Sequence, residues 1–346
     1  MRRLILVICI MFALAVPVQA ADLTAPTVPE SGVKYMPDEA ESFGEGLWII
    51  IKQGIRGLAP DLAAACRICF GIICGGLLLS VFRGLSGMAA QSVNIITTLL
   101  ISTLLLKTTN TMIGLAADTI TEISEYGKLI LPVMAASLAA QGGSATSAAL
   151  FAGTSVFAGI LNSLLSSVMI PVVYVYLALC VACAATENEM LGKIKSMILQ
   201  FCGWGLKTLL SLFTGFLAIT GVVSGTTDAA AAKVTRAAIS AMVPVVGRIL
   251  SEATDSVLVG AGVVRNAAGV YGLLAAAAVC IGPFLQLGVQ YLLLKLAAAF
   301  CAMFTDKQIS TLTGDFSSGF GLLLGMTGAG TLLLIISIIC FMKGMG

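Results

Sequence analysis

Long apolar runs separated by short polar clusters set the plan of this chain. About 20 apolar residues cross a bilayer core of about 30 Å, and residues 62–82 and 89–106 each read as one such span. Residues 107–128, with Asp118, Glu122 and Glu125, are predicted to be a polar amphipathic return to the outer face. Residues 129–140 are apolar but too short to cross alone, and Gln141-Gly142-Gly143-Ser144 then reads as a helix break. Residues 147–186 run for 40 residues without a charge. As one helix that is about 60 Å, twice the hydrocarbon core. The run is therefore predicted to fold into two crossings or to include a re-entrant piece, with Ser166-Ser167 and Pro171 at the bend. Residues 203–223, residues 270–304 with Pro283 inside, and residues 319–342 complete the apolar series. Glu187, Glu189, Lys193 and Lys195 form one charged separator, and Asp306, Lys307 and Asp315 form another. The expected fold class is all-α: a polytopic helical membrane protein with broken or re-entrant helices.

Composition agrees with the pattern. Of 346 residues, 58% are hydrophobic and 10% charged, where a soluble domain carries about 25% charge. Mean hydropathy is +1.04. A net charge of +2, scattered along the chain, gives no reason to expect a nucleic-acid partner. There is no histidine, which excludes histidine-based triads and metal sites.

The N-terminus reads as a secretory signal over residues 1–20. Arg2 and Arg3 precede an apolar stretch from Leu4 to Val16, and Val18-Gln19-Ala20 fits a small-x-small cleavage site. The rival reading is an uncleaved anchor, and the shortness of the apolar run favours cleavage. The mature N-terminus is then expected outside the cytoplasm. Residues 21–43, with Pro26, Pro29 and Pro37, read as a disordered extracytoplasmic arm. In residues 44–58, Leu47, Ile50, Ile51, Ile55 and Leu58 share one helical face, with Lys52 and Arg56 toward the other. That suggests an interfacial amphipathic helix anchored by Trp48, or a simple flank of the first span. Gly71, Gly75 and Gly76 offer a GxxxG face in that span, and Gly321, Gly325, Gly328 and Gly330 suit close packing in the last.

Residues 236–272 are the one place where several charges sit within apolar sequence. Arg248, Glu252 and Asp255 fall at i, i+4 and i+7, on one helical face, and Arg265 follows. Ionisable groups in lipid are costly and face a partner or a water-filled cavity. Arg248 with Glu252 reads as an intrahelical ion pair, or as part of a pore-lining or partner-docking cluster. Lys295, near the face shared by Gln286 and Gln290, either joins this polar membrane cluster by pairing with Glu252 or Asp255, or snorkels to the interface.

The two halves repeat one order of parts. Pro132 and Pro171 are 39 residues apart, as are Pro244 and Pro283, and the offset between the pairs is 112. At this offset Val133 matches Val245, Leu138 matches Leu250, Ser144 matches Ser256 and Lys195 matches Lys307. The alternatives are a duplication of broken-helix units, as in transporters, and a bundle whose prolines coincide. On the first reading, residues 44–128 hold the amphipathic helix and two spans, residues 129–225 are repeat one and residues 226–346 repeat two. Helix breaks are then expected at Pro132, Gly142, Gly143, Pro171, Pro244 and Pro283.

Chemistry-bearing motifs are absent. There is no P-loop, no G-x-S-x-G and no H-E-x-x-H, so no enzymatic activity and no cofactor are expected. Cys66/Cys69 and Cys180/Cys183 form two CxxC pairs in apolar sequence. They have no polar surroundings to support a metal, and read as small packing residues.

The chain resembles the stage III sporulation protein AE family of endospore-forming bacteria. The resemblance rests on Phe201-Cys202-Gly203-Trp204-Gly205-Leu206-Lys207, on Gly221-Val222-Val223-Ser224-Gly225, and most of all on Val243-Pro244-Val245-Val246-Gly247-Arg248. Ser251-Glu252-Ala253-Thr254-Asp255-Ser256-Val257-Leu258 and Val264-Arg265-Asn266-Ala267-Ala268-Gly269 continue it, and Leu131-Pro132-Val133 extends it toward the N-terminus. It implies a multi-pass protein of the mother-cell membrane around the forespore. It also implies a place in a channel or secretion-like complex with a cytoplasmic ATPase, other membrane subunits and ring-forming subunits. No catalytic residues carry over.

Overall fold

The computed structural model describes the backbone of residues 26–37, 42–86, 90–140, 144–186, 188–305 except 243–245, and 307–343. Within these ranges, side chains are described outside residues 79, 82–94, 144–146 and 218–265. The described chain is almost entirely helical, with no strand among the described residues. In order it forms α1 (Glu30–Val33), α2 (Phe43–Gly57), α3 (Ala59–Ser86), α4 (Ala90–Ala140), α5 (Ser144–Ser163), a π-helical turn (Leu164–Met169), α6 (Ile170–Thr186), α7 (Glu189–Met242), α8 (Val246–Phe304) and α9 (Lys307–Lys343). Six stretches among the described residues are long and apolar enough to cross a membrane. The protein is a polytopic helical membrane protein.

The antiparallel hairpin of α8 and α9 is the centre. The apolar stretches Asn266–Phe304 and Lys307–Lys343 are more than half buried inside the protein, and the other four are a third buried or less. Around the hairpin, α4 packs on both of its helices, α1, α2 and α3 pack on α8, and α6 and α7 pack on α9. Phe316, Phe320 and Phe341 of α9 are fully buried, as are Tyr126 of α4, Tyr176 of α6 and Phe213 of α7.

Several expected interruptions are not there. Residues 107–128 do not turn back: α4 runs unbroken for 51 residues, through Pro132. The tail that looked too short to cross is the end of this helix. Pro283 likewise lies inside continuous α8. A proline removes one backbone donor, but here both flanks are locked by packing, with Leu131 and Met134 buried around Pro132 and Val279 and Leu287 around Pro283. Neither proline breaks its helix. At about 1.5 Å per residue, α4, α7 and α8 are about 77, 81 and 88 Å long. Each exceeds a bilayer core, so bilayer length does not limit these helices.

Residues 147–186 also stay helical, neither reversing nor re-entering. Ser163 and Ile170, on either side of the π turn, keep right-handed helical dihedrals. The Ile170 N–H donates to Leu165 O, an i→i−5 bond. This wider turn lies just ahead of Pro171, which has no N–H to give to the regular ladder. Pro171 thus marks a widened turn in a continuing helix. Gly142, Gly143 and Pro244 lie outside the described residues, between helices that end at Ala140 and Met242 and restart at Ser144 and Val246.

The duplication is not mirrored in these helices. Residues 253–256, matched by the 112 offset to the break at 141–144, are helical inside α8. Pro171 follows a π turn and Pro283 does not. Helices α4 and α7 run across the expected boundaries at 128/129 and 225/226.

The N-terminal arm differs too. Residues 26–37 are ordered, and α1 lies on α8. Gly32 is buried with no room for a side chain, since a Cβ there would stand 2.8 Å from Val279 Cγ2. In α2, Ser42 caps the N-terminus by accepting from the Glu45 N–H at 3.3 Å. Gly46, Ile50 and Gly54 turn inward, and Ile50 meets Leu274 and Ala278 of α8. Trp48 and Ile55 are exposed on the opposite side, with Lys52 and Arg56 also exposed. Ile55 therefore leaves the apolar face expected for it, because small residues set the docked face. In α3, Gly76 approaches Thr305, whereas Gly71 and Gly75 face open space, so the GxxxG pair makes no helix contact.

Candidate functional site

Helix α7 carries Lys195, Cys202, Leu206 and Phe213 on its inward face. The helical repeat places Lys195 there, although its neighbours Lys193 and Ser196 are exposed. Lys195 meets Asp315 of α9 in an ion pair, with 11% of one side chain and 18% of the other exposed. Tyr176 of α6, fully buried, donates its hydroxyl to the Asp315 backbone oxygen at 3.1 Å. Three helices are thus tied at one point. A charge sequestered this way survives because its counter-charge is in contact.

Other polar contacts join the outer helices to the centre. Gln286 Nε2 of α8 donates to Asp61 Oδ2 at the start of α3, at 2.6 Å. Ser31 of α1 donates to Glu122 of α4. Ser147 Oγ of α5 donates to Ala135 O of α4 at 2.6 Å, closing the turn between those helices. Gln290 is buried, and its Nε2 has no hydrogen-bond partner.

The residues singled out in the sequence separate. Arg248, Glu252, Asp255 and Arg265 all lie on α8, and their side chains fall outside the described residues. Lys295 lies far from them on the same helix: about 60 Å from Asp255 at about 1.5 Å per residue. An unbroken α8 cannot bring it to Glu252 or Asp255, so that expected pairing is corrected. Lys295 instead donates to the Tyr291 hydroxyl at 3.0 Å and stands 5.3 Å from that ring's centre. This one-turn contact steadies an ammonium at the bundle surface. Cys69, Cys180, Cys202, Cys280 and Cys301 are buried among apolar side chains.

Sequence reasoning missed the Lys195–Asp315 pair, since both residues were assigned to charged separators. One signal was present. Met190, Ile194, Met197, Phe201 and Trp204 recur at alternating steps of four and three on α7, and all are exposed. With that apolar stripe outward, Lys195 falls on the inner side. A cavity of about 380 Å³ also lies between α4, α5 and α9, bordered by Lys128, Asn162 and Gly330 among others.

Comparison with known proteins adds to this geometry. The family model described as stage III sporulation protein AE matches residues 49–344. A stage III sporulation protein AE of Bacillus subtilis (strain 168) is 26% identical over 192 residues, covering 54% of this chain and 47% of that protein. The chain thus matches about half the length of that relative. No solved structure matches it. The family match takes in α3 to α9, including both partners of the buried ion pair, and the chain belongs to the stage III sporulation protein AE family.

Proposed function

We propose that this protein is a non-enzymatic, integral membrane component of a channel or secretion-like complex between mother cell and forespore, required for sporulation. The observation that carries the reading is the family match over 49–344, which contains all six apolar stretches found among the described residues. The protein would sit in the mother-cell membrane around the forespore, with its mature N-terminus extracytoplasmic. Its partners would be other membrane subunits and ring-forming subunits, with the lipid bilayer around it. In this reading, the cluster of Arg248, Glu252 and Asp255, with Arg265 after it, lines a pore or docks a partner. Lys195 and Asp315 brace the bundle.

The exposed stripe on α7 favours one form of this reading, an assembly role. Its 4-3-4-3 spacing is that of a coiled-coil seam, suited to one helix of a partner subunit. A stand-alone secondary transporter is the rival reading.

Deletion of the gene tests the proposal. The expected result is arrest of sporulation after engulfment with vegetative growth unchanged. Downhill movement of a solute into liposomes holding this protein alone would overturn the complex-component reading.

A further inference from the structure

We propose that the cavity between α4, α5 and α9 is a binding site for an anionic phospholipid. The cavity exists because three glycines meet there: Gly127 of α4, Gly159 of α5 and Gly330 of α9 all line it. A Cβ built at Gly159 or Gly330 would have nothing within 4 Å. Lys128, Phe151, Ser155 and Gly159 are exposed, so the volume of about 380 Å³ opens at the bundle surface. That volume lies within the usual range of small-molecule pockets.

The lining fixes the ligand's chemistry. Most of its surface is apolar, suited to an acyl chain. The polar groups that border it suit a phosphate. Lys128 of α4, exposed at the rim, supplies a positive charge for a phosphate. Serine hydroxyls at Ser124 and Ser155 add polar contacts. An apolar chain and a phosphate in one molecule describe an anionic phospholipid, whereas inorganic phosphate lacks the chain.

The test uses the full chain purified in mild detergent from membranes containing phosphatidylglycerol. Retained lipid is read by native mass spectrometry. The wild type is expected to keep phosphatidylglycerol in preference to phosphatidylcholine. Gly159→Leu, whose Cβ would meet nothing within 4 Å, puts a side chain into the cavity and is expected to cut retention about tenfold, roughly the reach of a few buried methylene groups. Gly330→Leu fills the same space from α9 and guards against a folding artefact of the first variant. Lys128→Ala is expected to reduce the preference for anionic over zwitterionic lipid about fivefold. Equal retention by wild type and both glycine variants, each monodisperse on gel filtration, overturns the site. Thermal stabilisation by inorganic phosphate equal to that by phosphatidylglycerol overturns the lipid assignment and leaves an anion site.

Discussion

Lys195 of α7 and Asp315 of α9 form an ion pair inside the bundle, and Tyr176 of α6 holds the Asp315 backbone oxygen from the other side. Each charge has lost most of its hydration, so removing one partner strands the other. Asp315→Asn is therefore expected to destabilise the protein by about 3–5 kcal/mol. Replacing both, as Lys195→Met with Asp315→Leu, is expected to recover most of that loss, because no stranded charge remains. Unfolding of the three variants in mixed micelles checks this. A double variant as unstable as the single one would mean that the pair is not the cause.

The α5–α7 contact depends on a missing side chain. The Phe216 ring of α7 occupies the place a Cβ would take at Gly153 of α5. Phe157 of α5 completes the arrangement, with ring centres 5.4 Å from Phe213 and 5.5 Å from Phe216. Gly153→Ala is expected to cost about 1–3 kcal/mol through overpacking. Phe216→Leu in the same chain should return part of it, since a smaller side chain leaves room. The readout is the coupling energy of the double-mutant cycle, and additive losses would show that the two residues do not compete for space.

Docking of α2 rests on a similar approach. A Cβ at Gly54 would stand 2.8 Å from Ile281 and 3.0 Å from Leu285, both on α8. Gly54→Val is expected to lift α2 from α8, raising amide hydrogen exchange over residues 43–57 about tenfold or more. Gly44→Ala, where a Cβ meets nothing within 4 Å, should leave exchange unchanged. Unaltered exchange in Gly54→Val would mean that α2 is held by other contacts.

These contacts show what the sequence could and could not convey. Apolar periodicity revealed helices and a membrane class, because lipid demands internally bonded backbone and hydropathy records that directly. It misjudged their ends. A span of bilayer length is the natural template, so residues 107–128 looked like a return to water. In the fold, Glu122 meets Ser31 and the helix continues. Proline was read as a break, whereas the helices continue through Pro132 and Pro283, each flanked by buried neighbours. Polar composition made residues 26–37 look disordered, but Gly32 seats the segment against Val279. The ion pair joins residues 120 apart in the chain, and no local pattern encodes that meeting.

The outer face of α7 gives the last prediction. Met190, Ile194, Met197, Phe201 and Trp204 form an exposed seam, and the Phe201 and Trp204 rings lie with centres 6.5 Å apart. Exposed residues contribute little to a fold, so Trp204→Ala and Met197→Ala are expected to change stability by no more than about 0.5 kcal/mol. Leu206→Ala, on the buried face of the same helix, should cost about 2–5 kcal/mol. If a partner helix covers the seam, Trp204 is its natural anchor, because large aromatics dominate such contacts. Trp204→Ala is then expected to weaken association by about 2 kcal/mol, roughly thirtyfold, lowering co-purification of the other membrane subunits from sporulating cells. Full recovery of those subunits with the Trp204→Ala protein would assign the seam to lipid and move the docking surface elsewhere on the bundle.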